Sequence, residues 1–209
     1  MSRVAAWLLA ALAAPVPVGD ALADLPGVVV RPYLVAGSDA ETLRRSIDAA
    51  RPTDPNDGTR VDALTHWSMA WRWPGRRHGG CDLSRATVAF RATVTLPALA
   101  DDAALPPEVA ADWARYRSAL ERHEGNHVRY AYAHRDAVLA AIRRATCATA
   151  ERAGRAAIAA IATHDLAYDR DTRHGVSEGA SFPTACVGGA APPAQRSACT
   201  PPADGGTSP

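Results

Sequence analysis

The chain has 209 residues, of which 47% are apolar, and its formal net charge at pH 7 is +1. This length and apolar content suit one globular domain with an ordinary buried core. The nearly neutral charge excludes any electrostatic argument for binding nucleic acid or an anionic membrane surface, so we expect neither as a partner.

The N-terminus has the composition of a secretory signal. A short basic start precedes an apolar run at residues 4–14, and Ala21-Leu22-Ala23 has the small-x-small pattern of a cleavage site. We therefore predict a signal peptide at residues 1–23 and a secreted or periplasmic protein. The apolar run is shorter than a membrane span requires, so no membrane contact is expected after cleavage.

The next segments predict the first strand and a short helix. Residues 28–35 are rich in β-branched side chains and predict a strand. A helix is expected at residues 39–50, with Ser38 as its N-cap and Glu41 three residues later completing a capping box.

Two further segments alternate between apolar and polar residues, as half-buried strands do. They cover residues 66–73 and 86–96 and are joined by a glycine-rich loop, which predicts a wide hairpin. Pro97 is expected to end the second strand. The strand predicted at residues 66–73 carries a stripe of tryptophans: Trp67, Trp71 and Trp73. We interpret this stripe as core packing rather than as the lining of a substrate cleft.

The C-terminal half is predicted to be helical. One long helix is expected from about residue 108 to residue 146, and an Ala-rich second helix at residues 148–163. Residues 188–209 are dominated by Gly, Pro, Ala, Ser and Thr and predict a flexible tail. The fold class is therefore α+β: a small antiparallel or mixed sheet with one short helix, packed on C-terminal helices within a single domain at residues 24–187.

Four cysteines in a chain predicted to be exported favour disulfide bonds. Three pairings of four cysteines are possible. We favour Cys81–Cys147, which would tie the β region to the end of the long helix, and Cys186–Cys199, which would close a loop in the tail.

The long helix contains a His-Glu-x-x-His motif. Residues four apart lie on one helix face, so His123 and His127 can direct ring nitrogens at one point, where neutral imidazoles would bind zinc. Glu124 lies beside that point and can act as general base towards a metal-activated water. Both histidines fall on the stripe that should face the core: Val109, Trp113, Tyr116, Leu120, His123, His127, Ala131, His134, Val138 and Ile142.

Several motifs in order resemble a known family. They are Trp67-x-x-x-Trp71-Arg72-Trp73 with Cys81, the strand ending at Leu96-Pro97, Trp113-x-x-Tyr116, the His-Glu-x-x-His helix, and Tyr168-Asp169-x-x-Thr172-x-His174-Gly175. This order resembles the bacterial predicted secreted zinc-dependent protease family, a zincin-like domain of unknown function. The resemblance implies an exported metallopeptidase that uses Zn²⁺ and holds a peptide or protein substrate along the edge of a sheet.

A catalytic zinc ion usually takes three protein ligands, so a further residue is needed. His134 lies seven residues after His127, about 10.5 Å further along a continuous helix, which is too far for a shared ion. Residues 166–175 are expected to leave the helix as a loop, and we predict His174 as the third ligand because Gly175 would let the backbone approach closely. The alternatives are Asp169, Asp171 and His164.

Tyr168 belongs to the same segment. Its hydroxyl could donate to the oxyanion formed when water attacks a peptide carbonyl, and a packed aromatic ring at a helix end is the alternative interpretation. Our leading hypothesis is a zinc peptidase with Glu124 as base. The alternatives are a non-catalytic, zinc-stabilised binding module and a metal-dependent amidase that acts on cell-wall peptides. The natural substrate and the oligomeric state are not readable from the sequence.

Overall fold

The computed structural model describes residues 22, 25–76, 80–100 and 104–183. This part of the chain is α+β, as predicted: a small mixed sheet comes first and long helices follow. The predicted signal peptide, the C-terminal tail and the Cys186–Cys199 pair lie outside the described residues, apart from Leu22. Among the described helices, none combines the length and the apolar character that crossing a membrane requires.

Three strands form the sheet. Strand β1 is Val28–Val35, β2 is Leu64–Arg72 and β3 is Thr87–Leu99, in the order β1-β3-β2. β1 runs parallel to β3 and β2 antiparallel to it, so the sheet is mixed. The predicted hairpin pairing of β2 with β3 is confirmed, although their connection also contains a short 3₁₀ helix at Leu83–Arg85. Because β3 is central, β2 is an edge strand of this sheet.

The end of β3 differs from the prediction. The strand continues through Pro97 to Leu99, and Pro97 pairs with Tyr33 of β1. Proline lacks the N–H that a central strand needs on both sides. Here the pairing with β2 covers β3 only as far as Thr95, so beyond that residue β3 has a single neighbour and tolerates the missing donor.

Helix α1 is Ala40–Ala50, and its cap lies one residue later than predicted. Asp39 is the N-cap: its carboxylate accepts from the Thr42 backbone N–H at 2.8 Å. The Thr42 hydroxyl oxygen in turn accepts from the Asp39 backbone N–H at 3.3 Å, which completes the capping box. Ser38 and Glu41 do not form the predicted box, because an aspartate with threonine three residues later already satisfies these donors.

Two long helices follow. Helix α2 is Pro107–Arg144 and helix α3 is Ala150–Thr172. The predicted α2 stripe is confirmed, since eight of its ten residues are buried: Val109, Tyr116, Leu120, His123, His127, Ala131, Val138 and Ile142. α3 is nine residues longer at its C-terminus than predicted, so residues 166–172 are helical and the predicted loop there is wrong. The face of α3 that bears Ile161, Asp165 and Asp169 continues to meet the rest of the fold, which favours continued helix.

One predicted disulfide is confirmed. Cys81, in the connection between β2 and β3, is bonded to Cys147, in the turn between α2 and α3. The bond closes a loop with a sequence separation of 66 residues, so it restricts the unfolded chain considerably. It joins the connection between β2 and β3 to the turn between α2 and α3.

Asp62 anchors the segment that enters β2. Its carboxylate accepts from both terminal nitrogens of Arg44, at 2.7 and 2.8 Å, and from the Tyr116 hydroxyl at 2.8 Å. Its carbonyl accepts from the Tyr33 hydroxyl at 2.7 Å. Burial opposes ionisation, but these donors outweigh it and lower the pKa of Asp62. Asp62 therefore joins the loop beside the histidines to α1 and α2 through its carboxylate and to β1 through its carbonyl.

Candidate metal centre

The two motif histidines converge as predicted. Both lie on the buried face of α2, with 1% of His123 and 5% of His127 exposed. Their Nε2 atoms are 3.4 Å apart. Asp169, on α3, places Oδ1 at 3.0 Å from each of these nitrogens. These three side chains form a group that could hold a metal ion.

The opposite nitrogen of each ring also faces a carboxylate. His123 Nδ1 lies 2.9 Å from Glu178 Oε2, and His127 Nδ1 lies 3.1 Å from Asp165 Oδ1. Asp165 is held in turn by the indole N–H of Trp67. Each buried imidazole is therefore bracketed by carboxylates at both of its nitrogens.

Hydrogen bonds alone satisfy this bracketing only when both buried rings carry a positive charge. A neutral imidazole has one donor and one acceptor nitrogen, and a carboxylate only accepts. Both rings would have to be protonated, with their Nε2–H groups facing each other at 3.4 Å. A cation between the two Nε2 atoms and Asp169 removes the conflict, because each neutral ring then donates Nδ1–H to its outer carboxylate, as metal-bound histidines normally do.

The spacing of the donors is close to that of a tetrahedral metal site. Zinc takes imidazole nitrogen and carboxylate oxygen at about 2.0–2.2 Å in tetrahedral sites, which puts neighbouring donors about 3.3–3.6 Å apart. The Nε2–Nε2 distance is 3.4 Å and the two Nε2–Oδ1 distances are 3.0 Å. The donor set of two imidazoles and one carboxylate is also one that catalytic zinc sites use.

The electrostatics of the group favour a cation. Burial disfavours a charged His127, but Asp165 and Asp169 outweigh burial and raise its pKa to about 10. Burial likewise opposes a charged Asp169, yet both histidines lower its pKa well below the usual range. None of the described arginines forms an ion pair with Glu124, Asp165 or Asp169, so positive charge must come from the rings or from a bound ion.

A cleft of about 270 Å³ opens beside these residues. Its walls include Glu124 and His127 from α2, Asp165 and Asp169 from α3, and Leu64, Thr65, His66 and Trp67 from β2. Only 4% of Glu124 is exposed, and burial raises the pKa of its carboxyl. The predicted general base is therefore a poorly hydrated carboxylate at the edge of a space that a ligand could enter.

The four proposed third ligands lie in different places. Asp169 is in the group with the two histidines. His174 is not in that group, and its Nδ1 lies 3.5 Å from Asp169 Oδ1. Asp171 is exposed and pairs with Arg170. His164 is exposed and stacks on Tyr130, with ring centroids 3.5 Å apart. The geometry thus favours Asp169 over His174 as the third ligand.

Tyr168 stacks on His123, with ring centroids 4.8 Å apart. Its hydroxyl donates to Glu178, at 2.8 Å from Oε1, and accepts from the Asn126 amide at 2.7 Å. These contacts orient the carboxylate that holds His123. They agree with a role in positioning, and the oxyanion role stays a prediction.

The turn after α3 has a strained backbone. Arg173 and His174 have φ values of 55° and 52°, in the left-handed region that non-glycine residues rarely adopt. Gly175 follows with φ of 80°, and a Cβ there would lie 2.9 Å from Cγ of His123. The predicted close approach of the backbone at this glycine is confirmed, and it brings Glu178 within reach of the His123 ring.

Sequence reasoning did not find the outer carboxylates. The sequence contains one pattern that could have indicated Asp165. It lies four residues before Asp169, and His123 and His127 have the same spacing, so the two pairs can face each other on adjacent helices. Glu178 had none, because its approach depends on the left-handed turn after α3.

The outer carboxylates lead to a first prediction. Replacing Asp165 by Asn removes the charge that orients His127, and we expect the affinity for zinc to fall about 10–100-fold. Competition with a chromophoric chelator measures this dissociation constant. A companion variant is Trp67→Phe, which removes the indole donor to Asp165 together with part of the ring and keeps the carboxylate of Asp165. Equal affinities of Asp165→Asn and the wild type would mean that Asp165 does not support the metal ligands.

Fold and site together define a small α+β protein in which two buried histidines and a partly buried aspartate form a group that could hold a metal ion. Residues 30–175 match a family model described as "Bacterial protein of unknown function (DUF922)", and the chain belongs to this family. The matched range contains the histidine pair, Glu124, Asp169 and His174. Comparison with curated proteins and with solved structures gave no match.

Proposed function

We propose that this protein is an exported zinc-dependent peptidase, in which His123, His127 and Asp169 hold the metal and Glu124 is the general base. The observation that carries the proposal is the convergence of two Nε2 atoms and one carboxylate oxygen while both Nδ1 atoms face carboxylates. This is the arrangement expected of neutral, metal-bound imidazoles.

In the proposed hydrolysis, the metal ion would activate a water molecule and Glu124 would transfer protons. A zinc ion bound there would act as a Lewis acid that brings the pKa of a water molecule to about 7. Glu124 faces the cleft, and its raised pKa makes it a better proton acceptor near neutral pH than an exposed carboxylate. The same carboxyl can then deliver the proton to the amine that leaves when the peptide bond breaks.

The sheet supports a peptide as substrate. β2 is an edge strand, and its residues Leu64–Trp67 line the cleft beside Glu124. An extended peptide can add to such an edge through main-chain hydrogen bonds, which accept many sequences because they do not involve side chains. Backbone pairing along β2 would bring a scissile carbonyl close to Glu124 and His127.

Export is part of the proposal. The confirmed Cys81–Cys147 disulfide supports an oxidising compartment, because such bonds are rare in the reducing cytosol. The predicted signal at residues 1–23 agrees with this interpretation.

A non-catalytic metal module is the competing proposal. Structural zinc sites are usually closed by four protein ligands, whereas catalytic sites keep one position open. Here three donors converge beside a cleft that also contains a buried carboxylate, and this favours catalysis.

Metal removal tests the function directly. We expect residues 24–209, stripped by a chelator, to lose cleavage of an unfolded protein substrate followed by mass spectrometry, and to regain it when zinc is restored. Apo protein incubated with magnesium is the control, because magnesium prefers an octahedral oxygen site. Cleavage that resists the chelator, or a zinc-loaded chain that cuts no member of a diverse peptide library, would contradict the peptidase proposal.

A further inference from the structure

A second group of potential metal ligands lies next to the first. Asp54, Asp169 and His174 each offer one donor atom, and these three atoms lie within 4.8 Å of one another. They come from three separate parts of the chain: the loop before β2, helix α3 and the left-handed turn after it. The peptidase proposal uses Asp169 alone and assigns no role to the other two.

Asp54 is the unusual member of this group. Only 3% of it is exposed, yet it lines the cleft. Its Oδ1 accepts from the Asn56 backbone N–H at 2.8 Å, and none of the described groups donates to its other carboxylate oxygen. No described arginine or histidine forms a salt bridge with it. Asp54 therefore lines the cleft with one carboxylate oxygen that a cation could approach.

The loop holds Asp54 firmly in this place. The Asp54 backbone N–H donates to the Thr59 carbonyl at 2.8 Å, and its carbonyl accepts from the Gly58 N–H at 2.9 Å. Gly58 has a φ of 78°, so the turn needs the freedom of glycine there. Hydrogen bonds within this tight turn therefore hold the Asp54 carboxylate beside the cleft.

Asp169 connects the two groups. Its Oδ1 lies 3.0 Å from Nε2 of both motif histidines and 3.5 Å from Nδ1 of His174. A carboxylate has two oxygens and about four lone-pair sites, so one side chain can serve two cations. Two-metal hydrolytic sites hold their ions about 3.5–4 Å apart, a distance that one bridging carboxylate can span.

We propose that Asp54, Asp169 and His174 form a second site for a divalent transition-metal cation, which shares Asp169 with the first site. Two carboxylates and one imidazole suit Mn²⁺ or Zn²⁺. This inference rests on the proposed metal centre, because Asp169 belongs to both sites. A second ion in the same cleft would neutralise the buried Asp54 and offer a further Lewis acid to a substrate.

Metal titration tests this site without any activity assay. The metal-free protein is titrated with Co²⁺, followed by visible absorption and calorimetry, and its zinc content is measured after equilibration with Zn²⁺. We expect two equivalents per chain in the wild type, bound in a tight step and a weaker one. In Asp54→Asn and His174→Gln the second step should weaken at least 10-fold while the tight step remains.

The matched control is Asp57→Asn. Asp57 lies in the same loop, but it is exposed and belongs to neither group of donors. It should bind both equivalents with wild-type affinity. Circular dichroism and thermal melting check that each variant is folded, and the two substitutions test the site from different segments of the chain.

The remaining outcomes overturn the proposal. A wild type that binds one equivalent has no second site. A second step of wild-type affinity in folded Asp54→Asn would mean that the second ion binds elsewhere, and loss of the tight step in His174→Gln would make His174 a ligand of the first ion. The two proposals fail separately: two equivalents without cleavage would remove the peptidase function alone, and cleavage with one equivalent would remove the second site alone.

Discussion

Replacing Glu124 by Gln should lower kcat/KM for peptide hydrolysis by about 10²–10⁴-fold, the range typical of a lost general base. Gln has nearly the same shape as Glu but cannot take a proton from water. Because Glu124 is not one of the three converging donors, we expect zinc content to stay at the wild-type level. Elemental analysis and steady-state kinetics on the same preparation measure both quantities.

A matched substitution separates this effect from a general disturbance of α2. Glu108→Gln makes the same chemical change in the first turn of the same helix, at an exposed position. It lies 16 residues from Glu124, or about 24 Å along the helix, and should leave activity unchanged. Peptidase activity in Glu124→Gln equal to that of the wild type would remove Glu124 as the base and strengthen the case for a metal site without catalysis.

Asp169→Ala should release the metal. This change removes one of three donors, and we expect the tight zinc affinity to fall by more than the roughly 100-fold that an outer carboxylate accounts for. It also leaves two buried histidines without their shared partner at 3.0 Å, so the melting temperature of the metal-free protein should change as well. Zinc competition and thermal melting provide the two measurements.

Asp171→Ala is the control for that substitution. Asp171 lies two residues further along α3 and was itself a sequence-based ligand candidate, but it is exposed and pairs with Arg170 at 2.9 Å. It should bind zinc as the wild type does. If Asp169→Ala kept its tight zinc while His174→Ala lost it, the third ligand would be His174, as the sequence alone suggested.

The helical half shows why some site residues were predictable. His123, Glu124 and His127 lie within five residues of one helix, and helix periodicity alone determines that the two rings share a buried face. The third donor required knowing where α3 ends. Sequence patterns place helix ends poorly, and extending α3 from residue 163 to Thr172 moved Asp169 from a predicted loop onto a helix face opposite the histidines.

For the cleft, too, the sequence predicted the burial pattern of single strands but not how the strands are arranged. Alternation predicted which faces of β2 and β3 are buried, because side chains alternate along any strand. It did not reveal that β2 is the edge, since strand order depends on the parallel pairing of β1 with β3 across more than 50 intervening residues. The wall of the cleft therefore follows from topology rather than from a local pattern.

By itself, the sequence determined the α+β class and the buried histidine pair with its glutamate, because these depend on periodicity within single elements. It also favoured the Cys81–Cys147 disulfide, but counting cysteines left three pairings possible. Only the tertiary structure decided that Asp169 joins the pair, that Asp165 and Glu178 hold the rings from outside, and that Asp54 faces the same cleft. Those groups join segments 38 to 120 residues apart in sequence, so their geometry depends on how α3, its left-handed turn and the loop before β2 pack together.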